Sequence, residues 1–390
     1  MAVNLTNADS ALKSFYLDAV SEQLNNNVNP FFAKIKQSTS DVWGKEVRKL
    51  AIYGMNGGIG AGTEDGELPE SAGNNYGQMV STLKNLYGTI EISDKAIRAS
   101  ENSSGAFVSL LNAEMDGLIK SSTFNFGRML FGDGTGVIAT VGSVENGVIT
   151  LDDVKNVIEG MVVDFRESAT GAIIHGAGAR RILTVDRISK KITVSGMTLT
   201  EEIVGAKVSV QGSYGNEITG LKAIFDKTQN LYGLSRENNS WLNPTVVDVK
   251  GDVSENDIQT ALDQIEELSG SAVDFIVCSW GVRRKLQALF SQNNRNISTV
   301  ELAGGFKAMS YNGIPIVADR FCPKGSMYLL NTADFTLHQL CDWQWLTGDD
   351  GRVLKQIAGK PVYSATLVKY AELICAKPYG QGLIKGITEA

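Results

Sequence analysis

A stretch of 27 residues, Ser104–Leu130, constrains the fold of this chain more than any other part of the sequence. Apolar residues recur in it at steps of three and four, as they do along one face of an α-helix. They are Phe107, Leu110, Leu111, Met115, Leu118, Ile119, Phe126, Met129 and Leu130. A helix of that length is a rod of roughly 40 Å, about twice the usual helix. Such a rod needs a surface to lie against, so the flanking segments decide how the chain folds.

The ends of this stretch carry the residues that usually start and stop a helix. Ser103 or Ser104 can cap the first turn, and Gly-Asp-Gly at 132–134 predicts the end. Glu114 and Ser122 interrupt the apolar stripe. The sequence therefore predicts one continuous helix with one apolar face.

The charge balance narrows the possible functions. A net charge of −7 over 390 residues and a pI near 5.1 argue against a protein that grips nucleic acid, because phosphate binding needs clustered Lys and Arg. The length predicts two or three domains. The sequence contains no apolar run long enough to cross a membrane and no signal peptide at its start, so we expect synthesis and folding in a reducing cytosol. Buried free thiols are then expected at the cysteines. They are Cys278, Cys322, Cys341 and Cys375.

The N-terminal segment pairs an amphipathic pattern with two adjacent aromatic residues. Residues 7–26 predict a short helix, and Phe31 and Phe32 follow it. Neighbouring side chains point apart in an extended chain, so both rings are covered only if something packs around the segment. A partner subunit beneath an N-terminal arm would supply this cover, and so would the chain's own domain. The local pattern leaves both alternatives open.

Residues 42–95 predict a long two-stranded excursion. The ascending limb has Trp43, Val47, Leu50 and Ile52 as its apolar members, and the descending limb ends in alternating residues at 90–92. The segment between the limbs is rich in glycine. These glycines are Gly57, Gly58, Gly60, Gly62, Gly66, Gly73 and Gly77. A two-stranded ribbon with so wide a tip is marginal alone in water, so it must rest on something outside itself.

The same tip offers the strongest alternative, a nucleotide-binding enzyme. A strand followed by GGIGAG at 57–62 is similar to a dinucleotide-binding turn. That site requires a helix whose amino terminus holds the pyrophosphate. The chain continues instead with a proline and four carboxylates, which would repel a phosphate. They are Glu64, Asp65, Glu67 and Glu70. The pattern therefore favours a loop tip over a cofactor site.

After the long helix, residues 137–215 change to short strands with frequent turns. Asn146-Gly147 predicts a tight hairpin, and the whole segment predicts a small all-β barrel or sandwich. It begins at GDGTG and ends at NEITGLKAIF, so excising it would leave a plausible continuous loop. We therefore interpret it as an inserted domain. The spacing of Asp133, Asp152 and Asp153 matches no calcium loop, so these residues are expected to stabilise turns.

From Thr219 onward the sequence alternates helices and strands. Ser254 can cap a helix through Leu268, residues 272–279 read as a buried strand, and residues 280–290 predict a second helix. The stripe of the first helix is expected to comprise Ile258, Ala261, Leu262, Ile265 and Leu268.

Side chains able to carry chemistry are sparse. His175 and His338 are expected to be ordinary surface or strand histidines, since neither has a nucleophile or carboxylate at catalytic spacing. The segment FTLHQL around His338 is expected to be an alternating strand. Trp343 and Trp345 share one face of an extended segment, where burial in a sheet is favoured over stacking on a base or sugar. The chain contains neither HExxH nor a GxxxxGK[ST] loop. The sequence thus predicts no enzyme and no catalytic, cofactor-binding or metal-ligating residue.

The order of these parts resembles the major capsid protein of tailed bacteriophages, whose fold is named after phage Hong Kong 97. A further point of resemblance is LAGGFKAMSYNGIPIVADRFCPKGSMYLLN at 302–331, three strands joined by turns. The resemblance implies an α+β fold with an N-terminal arm, an extended loop, a spine helix, peripheral and axial domains and an inserted β domain. The implied boundaries are 1–41 for the arm, 42–95 for the extended loop, 96–136 for the spine helix and peripheral domain, 137–218 for the inserted domain, and 219–390 for the axial domain and the remaining peripheral domain.

The resemblance also implies a function. The chain would be a structural head protein that forms hexamers and pentamers and closes an icosahedral shell around double-stranded DNA. It would belong to the virion, without a cofactor, and could meet scaffolding, portal and decoration proteins. The arm starts almost at Met1, so a separate scaffolding protein or none is expected. Some relatives cross-link a loop lysine to a neighbour, but nothing selects among Lys45, Lys49 and Lys84. The alternative is an encapsulin-like nanocompartment shell.

Overall fold

The computed structural model describes residues 29–95, 104–196, 199–292, 299–302, 306–348 and 351–389, which form a mixed α/β fold. Its α-helices are α1 (Ser104–Leu130), α2 (Leu221–Phe225), α3 (Glu255–Ser269) and α4 (Trp280–Gln292). The strands before α1 are β1 (Lys36–Ser38), β2 (Val42–Trp43), β3 (Glu46–Tyr53), β4 (Asn75–Thr82) and β5 (Lys84–Ser93). Those between α1 and α2 are β6 (Val137–Glu145), β7 (Val148–Leu151), β8 (Val162–Arg166), β9 (Arg180–Asp186), β10 (Lys191–Val194) and β11 (Lys207–Val210). The strands after α2 are β12 (Thr245–Gly251), β13 (Phe275–Cys278), β14 (Thr299–Leu302), β15 (Phe306–Tyr311), β16 (Ile314–Ala318), β17 (Met327–Leu330), β18 (Phe335–Trp345), β19 (Lys355–Gln356), β20 (Val362–Cys375) and β21 (Gly382–Ile387).

The chain divides into two compact units. The first contains Lys84–Lys222 and Trp343–Val368, and therefore holds β5, α1 and strands β6 to β11. The second contains Pro30–Leu83, Ala223–Asp342 and Lys369–Ala390, and therefore holds the β3–β4 hairpin and the strands after α2 up to β17.

The predicted long helix is confirmed, since α1 begins at Ser104 and ends at Leu130. The described part of its apolar stripe is buried at Met115, Ile119 and Phe126. The side chains before residue 113, including the predicted cap and the first three apolar positions, lie outside the described residues. Strand β5 packs against the helix so closely that a Cβ added to Gly88 would lie 2.8 Å from Leu118 Cδ1. The rod therefore lies against β5 of its own unit.

The prediction of one descending limb is wrong in detail. The run consists of two strands, β4 and β5, which are interrupted at Leu83. The amide of Leu83 donates to the carbonyl of Lys45, 2.9 Å away, and so closes the base of the β3–β4 hairpin. The excursion is consequently shorter than the predicted segment, and β5 belongs to the other unit.

Strands β6 to β11 form a closed six-stranded barrel in the order β10-β7-β6-β11-β8-β9. The predicted hairpin is present between β6 and β7, where Asn146 and Gly147 both have positive φ, as a type I′ turn requires. Apolar side chains fill the interior of the barrel. Its fully buried members include Ile149, Val163, Phe165, Ile192 and Val208. The interior of the barrel is thus a packed apolar core.

The two ends of the barrel segment meet at the end of α1. Gly134 has a φ of +78°, and a Cβ on it would lie 4.0 Å from the Cα of Thr219. Gly215 donates its amide to the carbonyl of Thr135 at 2.9 Å. The chain therefore leaves the helix, forms the barrel and returns to almost the same point.

A seven-stranded sheet organises the second unit, in the order β12-β21-β17-β13-β16-β15-β14. Helix α3 starts with a capping box, in which Ser254 and Asp257 bond each other's backbone and side-chain groups. Ile258 and Ile265 are fully buried in the sheet's core, whereas Leu268 is 72% exposed, so its predicted place in the stripe is wrong. The buried strand expected at 272–279 is confirmed as β13.

The aromatic pair near the N-terminus is covered by its own chain. Phe31 packs edge-on against Phe335 with the ring centroids 5.3 Å apart, and both Phe31 and Phe32 are buried. The second of the two alternatives is therefore correct for these rings. The helix expected at 7–26 lies outside the described residues.

Candidate assembly surface

The β3–β4 hairpin has two faces of opposite character. Its register pairs Glu46 with Thr82 at the base and Tyr53 with Asn75 at the far end. Opposed residues of antiparallel strands share a face, so the side chains alternate between the two faces along each strand. One face carries Val47, Ala51 and Met79, which are all buried. This inner face belongs to the core of the second unit.

The loop before β12 holds the inner face in place. The rings of Tyr53 and Trp241 stack with centroids 5.0 Å apart and planes 7° from parallel. Gly77 faces the same indole, and a Cβ on it would lie 2.7 Å from Trp241 Cζ2. The amide of Val80 donates to the carbonyl of Tyr232 at 3.0 Å. Glycine is thus needed at 77 because the indole occupies the space that any side chain would fill.

The opposite face of the hairpin is apolar and exposed. We call it the outer hairpin face and define it by its large side chains. They are Trp43 (76% exposed), Leu50 (60%), Ile52 (62%) and Tyr76 (54%). A hollow of about 310 Å³ lies beside Trp43 and is lined by Glu46 and Arg48, which form an ion pair at 3.1 Å. Four large apolar side chains on one small sheet form the kind of exposed patch that usually marks an interaction site.

The sequence identified only part of this face. It gave Trp43, Val47, Leu50 and Ile52 as apolar members of one limb, but Val47 lies on the inner face and is buried. Trp43 joins the outer face because it pairs with Glu46 across the turn at Gly44. Tyr76 was missed, although its alternation with Met79 on the descending limb could have revealed it.

The tip of the hairpin, residues 54–74, has no helix or strand. Asn56 bonds across the loop to Asn74 at 3.2 Å, and its Oδ1 accepts from the amide of Gly58 at 2.9 Å. The helix that a dinucleotide site requires is therefore missing from this described segment, and the loop-tip interpretation is confirmed. The four predicted carboxylates are all exposed, as are three apolar side chains. The apolar ones are Met55, Ile59 and Leu68.

The remaining candidate residues lie in structural positions. His175 is exposed in the barrel, whereas His338 is fully buried in β18. Burial lowers the pKa of His338 to about 4. The cations of Lys49 and Lys36 also lower this pKa, whereas the carboxylate of Asp41 raises it, and the ring is neutral at pH 7. The alternation expected in β18 is wrong, because its first five residues are all buried.

The predicted burial of the two tryptophans is confirmed. Trp343 and Trp345 are both buried, and Trp343 meets Phe126 of α1 edge-on at 6.4 Å. Three of the free cysteines are buried and Cys341 is partly so. Burial raises the pKa of Cys278 to about 12 and raises that of Cys375 as well, which leaves both thiols protonated.

Asp133 and Asp153 accept hydrogen bonds within turns, as expected, whereas Asp152 accepts one from a residue of strand β6. Asp133 accepts from the amide of Thr135 at 3.0 Å, Asp152 from Thr140 at 2.7 Å and Asp153 from Lys155 at 3.1 Å. Among the described residues, no group of three or more His, Cys, Asp or Glu side chains is placed to hold a metal ion. None of the described helices is both long and apolar enough to span a membrane.

A buried ion pair that the sequence did not reveal, Arg128 with Glu217, joins the end of α1 to the end of the barrel segment. The two terminal guanidinium nitrogens of Arg128 donate to Glu217, at 2.5 and 2.9 Å, and both side chains are almost completely buried. A salt bridge of Lys222 to Asp133 at 2.8 Å lies at the same junction. The ion pairs hold the barrel's exit against the helix at the point where the barrel also begins.

Comparison with solved structures identifies chains of similar fold. A solved structure, the capsid asymmetric unit of cyanophage A-1(L), matches over 93% of this chain and 95% of its own, at 11% identity and a TM-score of 0.57. The holo-SrpI encapsulin complex from Synechococcus elongatus PCC 7942 matches over 95% of each chain at 11% identity, with a TM-score of 0.49. The capsid of a native GTA particle matches over 94% and 91% at 12% identity, with a TM-score of 0.48.

These identities are low, so the cyanophage structure shows a shared fold and no more. No curated protein matches the chain by sequence at a significant level. A family model described as the SU10 major capsid protein matches residues 112–349, which is more than half of the chain. The match begins within α1 and covers the barrel, six strands of the seven-stranded sheet (all but β21) and β18. The chain therefore belongs to the SU10 major capsid protein family.

Proposed function

We propose that this chain is the head subunit of a tailed phage, and that it forms hexamers and pentamers of an icosahedral shell enclosing double-stranded DNA. The observation that carries the proposal is the outer hairpin face. Covering a large apolar side chain contributes roughly 1.5–3 kcal/mol when burial is complete. Four such side chains per copy, repeated around a closed shell, supply a substantial driving force for assembly.

The parts of the Hong Kong 97-type fold can be assigned under this proposal. The hairpin from Glu46 to Thr82 acts as the extended loop and α1 as the spine helix. The seven-stranded sheet with α3 and α4 acts as the axial domain, where copies meet around the symmetry axes. Residues 1–41 act as the arm. Scaffolding and portal proteins are the partners expected for such a subunit, and the virion is where it would reside.

Shell formation should depend on the outer hairpin face. Replacing Leu50 and Ile52 with aspartate should lower the yield of closed shells about tenfold or more, because the interface would bury two unpaired carboxylates. Both residues are more than half exposed in the single chain. The free energy of unfolding of the subunit should therefore change by about 0.5 kcal/mol or less. Sedimentation measures the shells, and urea unfolding measures the subunit.

A control variant adds a single carboxylate away from the hairpin. Ile173→Asp places a carboxylate on a half-exposed apolar position of the barrel, and it should leave the shell yield unchanged. Wild-type yield from the doubly substituted hairpin would contradict the role given to the face.

The barrel serves as an inserted domain in this proposal. The closeness of Gly134 to Thr219 supports this, because a Cβ added to Gly134 would lie only 4.0 Å from the Cα of Thr219, so the two backbones run side by side at this point. The chain from 134 could therefore continue at 219 with little rearrangement.

Excision of the barrel tests this assignment. A chain that joins Gly134 directly to Thr219 loses Glu217, so Arg128→Met should accompany it and remove the stranded charge. We expect a soluble subunit with one cooperative urea transition and the circular dichroism of the remaining helices and strands. The same excision with Arg128 retained is the control and should be less stable. Aggregation of both proteins would mean that the barrel is an integral part of the core.

A further inference from the structure

Two oppositely charged surfaces of this chain are exposed and each includes apolar side chains. The first is the hairpin of β9 and β10 in the barrel, which we call the basic hairpin (residues 180–194). Its cations are Arg180, Arg181, Arg187, Lys190 and Lys191. Asp186 is the one carboxylate within it. The second surface is the glycine-rich tip at residues 54–74, which carries four carboxylates and no Lys or Arg.

The turn of the basic hairpin presents an apolar side chain to solvent. Asp186 Oδ1 accepts from the amides of Ile188 and Ser189 at 2.9 and 3.2 Å, and its other oxygen accepts from the Ser189 hydroxyl. These bonds fix the turn and leave Ile188 97% exposed. Leu183 on β9 is also more than half exposed. The turn therefore exposes one apolar side chain, Ile188, with Arg187 and Lys190 close to it in the sequence.

The positive charge is only partly neutralised within the chain. Arg187 pairs with Glu159 at 3.2 Å, and Asp186 lies opposite Lys191 in the strand register. Arg181 and Lys191 have exposed side chains. Arg180 is only partly exposed and donates to the carbonyls of Ser195 and Gly176, so counting the four exposed cations against Asp186 and Glu159 leaves a net charge of +2 on this surface (4 − 2).

The acidic tip has the complementary properties. Glu64, Asp65, Glu67 and Glu70 lie within seven residues of each other, and all four are exposed. Leu68, between two of these carboxylates, is 89% exposed. A loop with several glycines and no regular structure can adapt to the surface that it meets.

We infer that the acidic tip of one copy docks on the basic hairpin of a second copy within the shell. The inference rests on the proposed function, because a shell is what brings the two copies together. Opposite potentials on the two surfaces fix the register of the contact and disfavour pairing of like surfaces. The exposed Leu68 and Ile188 supply apolar area that the charges surround. Both surfaces are exposed in the single chain, and their opposite charges make a second copy the partner that complements each of them.

Nucleic acid is the other partner that a basic surface could attract. The basic hairpin has Asp186 within it, Glu159 paired to Arg187 beside it and an isoleucine at its apex, whereas phosphate binding favours clustered cations. An apolar centre with a charged rim is typical of protein–protein contacts. The composition of the surface therefore favours the acidic tip.

Charge reversal on both surfaces tests the inference. Glu64→Lys, Asp65→Lys and Glu67→Lys reverse the tip, and Arg181→Glu with Lys191→Glu reverses the basic hairpin. Each reversed protein should form about tenfold fewer shells than wild type, and combining the two reversals should restore the yield to within about twofold. Added salt should weaken the wild-type contact and the doubly reversed contact alike. Urea midpoints close to wild type establish that each variant folds.

A combined variant that assembles no better than the weaker single one would overturn the inference. Barrel reversal that lowers only the packaged DNA, with no effect of tip reversal on shells, would overturn it in favour of nucleic acid. Normal shells from both single variants would overturn it while leaving the proposed function standing. A wild type that never forms shells would overturn the proposed function, and the inference with it.

A cysteine pair tests the same contact without changing its charge. One copy carries Leu68→Cys. A second copy carries Ile188→Cys and a tag that makes it longer, so any disulfide between these sites joins two chains that differ in size. After co-assembly and mild oxidation, we expect a linked dimer of the two lengths as the main product. Leu68→Cys with Ile173→Cys, elsewhere on the barrel, is the control and should give about tenfold less dimer. Equal dimer from both pairs would contradict the docking.

Discussion

Replacing Ile119 with aspartate should unfold the unit that contains the long helix. Ile119 is 3% exposed and lies one turn after Met115, which is fully buried. Nothing among the apolar side chains of this stripe can pair with a carboxylate, so the substitution would combine a lost apolar contact with an unpaired buried charge. Together these effects should cost about 4 kcal/mol or more, a large share of the stability of an ordinary domain.

The adjacent residue provides the control for this substitution. Lys120 is exposed on the far side of α1, so Lys120→Asp introduces the same side chain without burying it. Its effect on the free energy of unfolding should be about 0.5 kcal/mol or less. Urea unfolding followed by circular dichroism measures both variants. Equal stability of the two would mean that the helix does not bury the face assigned to it.

The second large effect is expected at the buried ion pair. Glu217→Gln should lower the free energy of unfolding by about 3 kcal/mol or more, because it leaves the Arg128 guanidinium buried without a counter-charge. The two parallel hydrogen bonds also require two acceptors, at 2.5 and 2.9 Å from the guanidinium nitrogens. A glutamine amide presents one acceptor and one donor, so one of the two bonds becomes a donor–donor contact.

Removing both charges shows whether the lost stability comes from the unpaired charge of Arg128 or from the packing of the two side chains. Arg128→Met with Glu217→Leu fills similar space with apolar groups and should recover most of the loss, because neither charge then remains buried. Calorimetry or urea unfolding of the single and double variants closes the cycle. A double variant less stable than Glu217→Gln would show that the pair contributes through geometry that no apolar replacement can reproduce.

The sequence predicts correctly those structural features that depend on residues close together in the chain. The bounds of α1 follow from its periodicity and from the glycines after it, and the turn at Asn146-Gly147 follows from the positive φ of both residues. The capping box at Ser254 is likewise local. No partner from a distant part of the chain is needed for any of these.

The features that were missed depend on partners far along the chain. The descending limb breaks at Leu83 because its amide bonds to Lys45, which strand propensity alone does not indicate. Arg128 and Glu217 are separated by the whole barrel, so their pairing appears only when the barrel's ends meet. β18 lacks the expected alternation because both of its faces are covered over its first five residues.

The candidate surface was predictable in composition but not in orientation. The apolar residues of β3 were evident, but their division between two faces depends on the turn at Gly44. The turn pairs Trp43 with Glu46 and so places the indole on the face of Leu50 and Ile52, with Val47 on the other. A step of one residue in this register would reverse the assignment. Only the paired strands determine which face remains exposed.

Cryo-electron microscopy of particles assembled from the purified chain tests the central claim most directly. We expect closed icosahedral shells in which Trp43, Leu50, Ile52 and Tyr76 of each copy are covered by a neighbouring copy. The reconstruction reads this out side chain by side chain, independently of any substitution. Closed shells that leave the outer hairpin face in solvent, or preparations that contain only single chains with or without a scaffolding protein, would contradict the account.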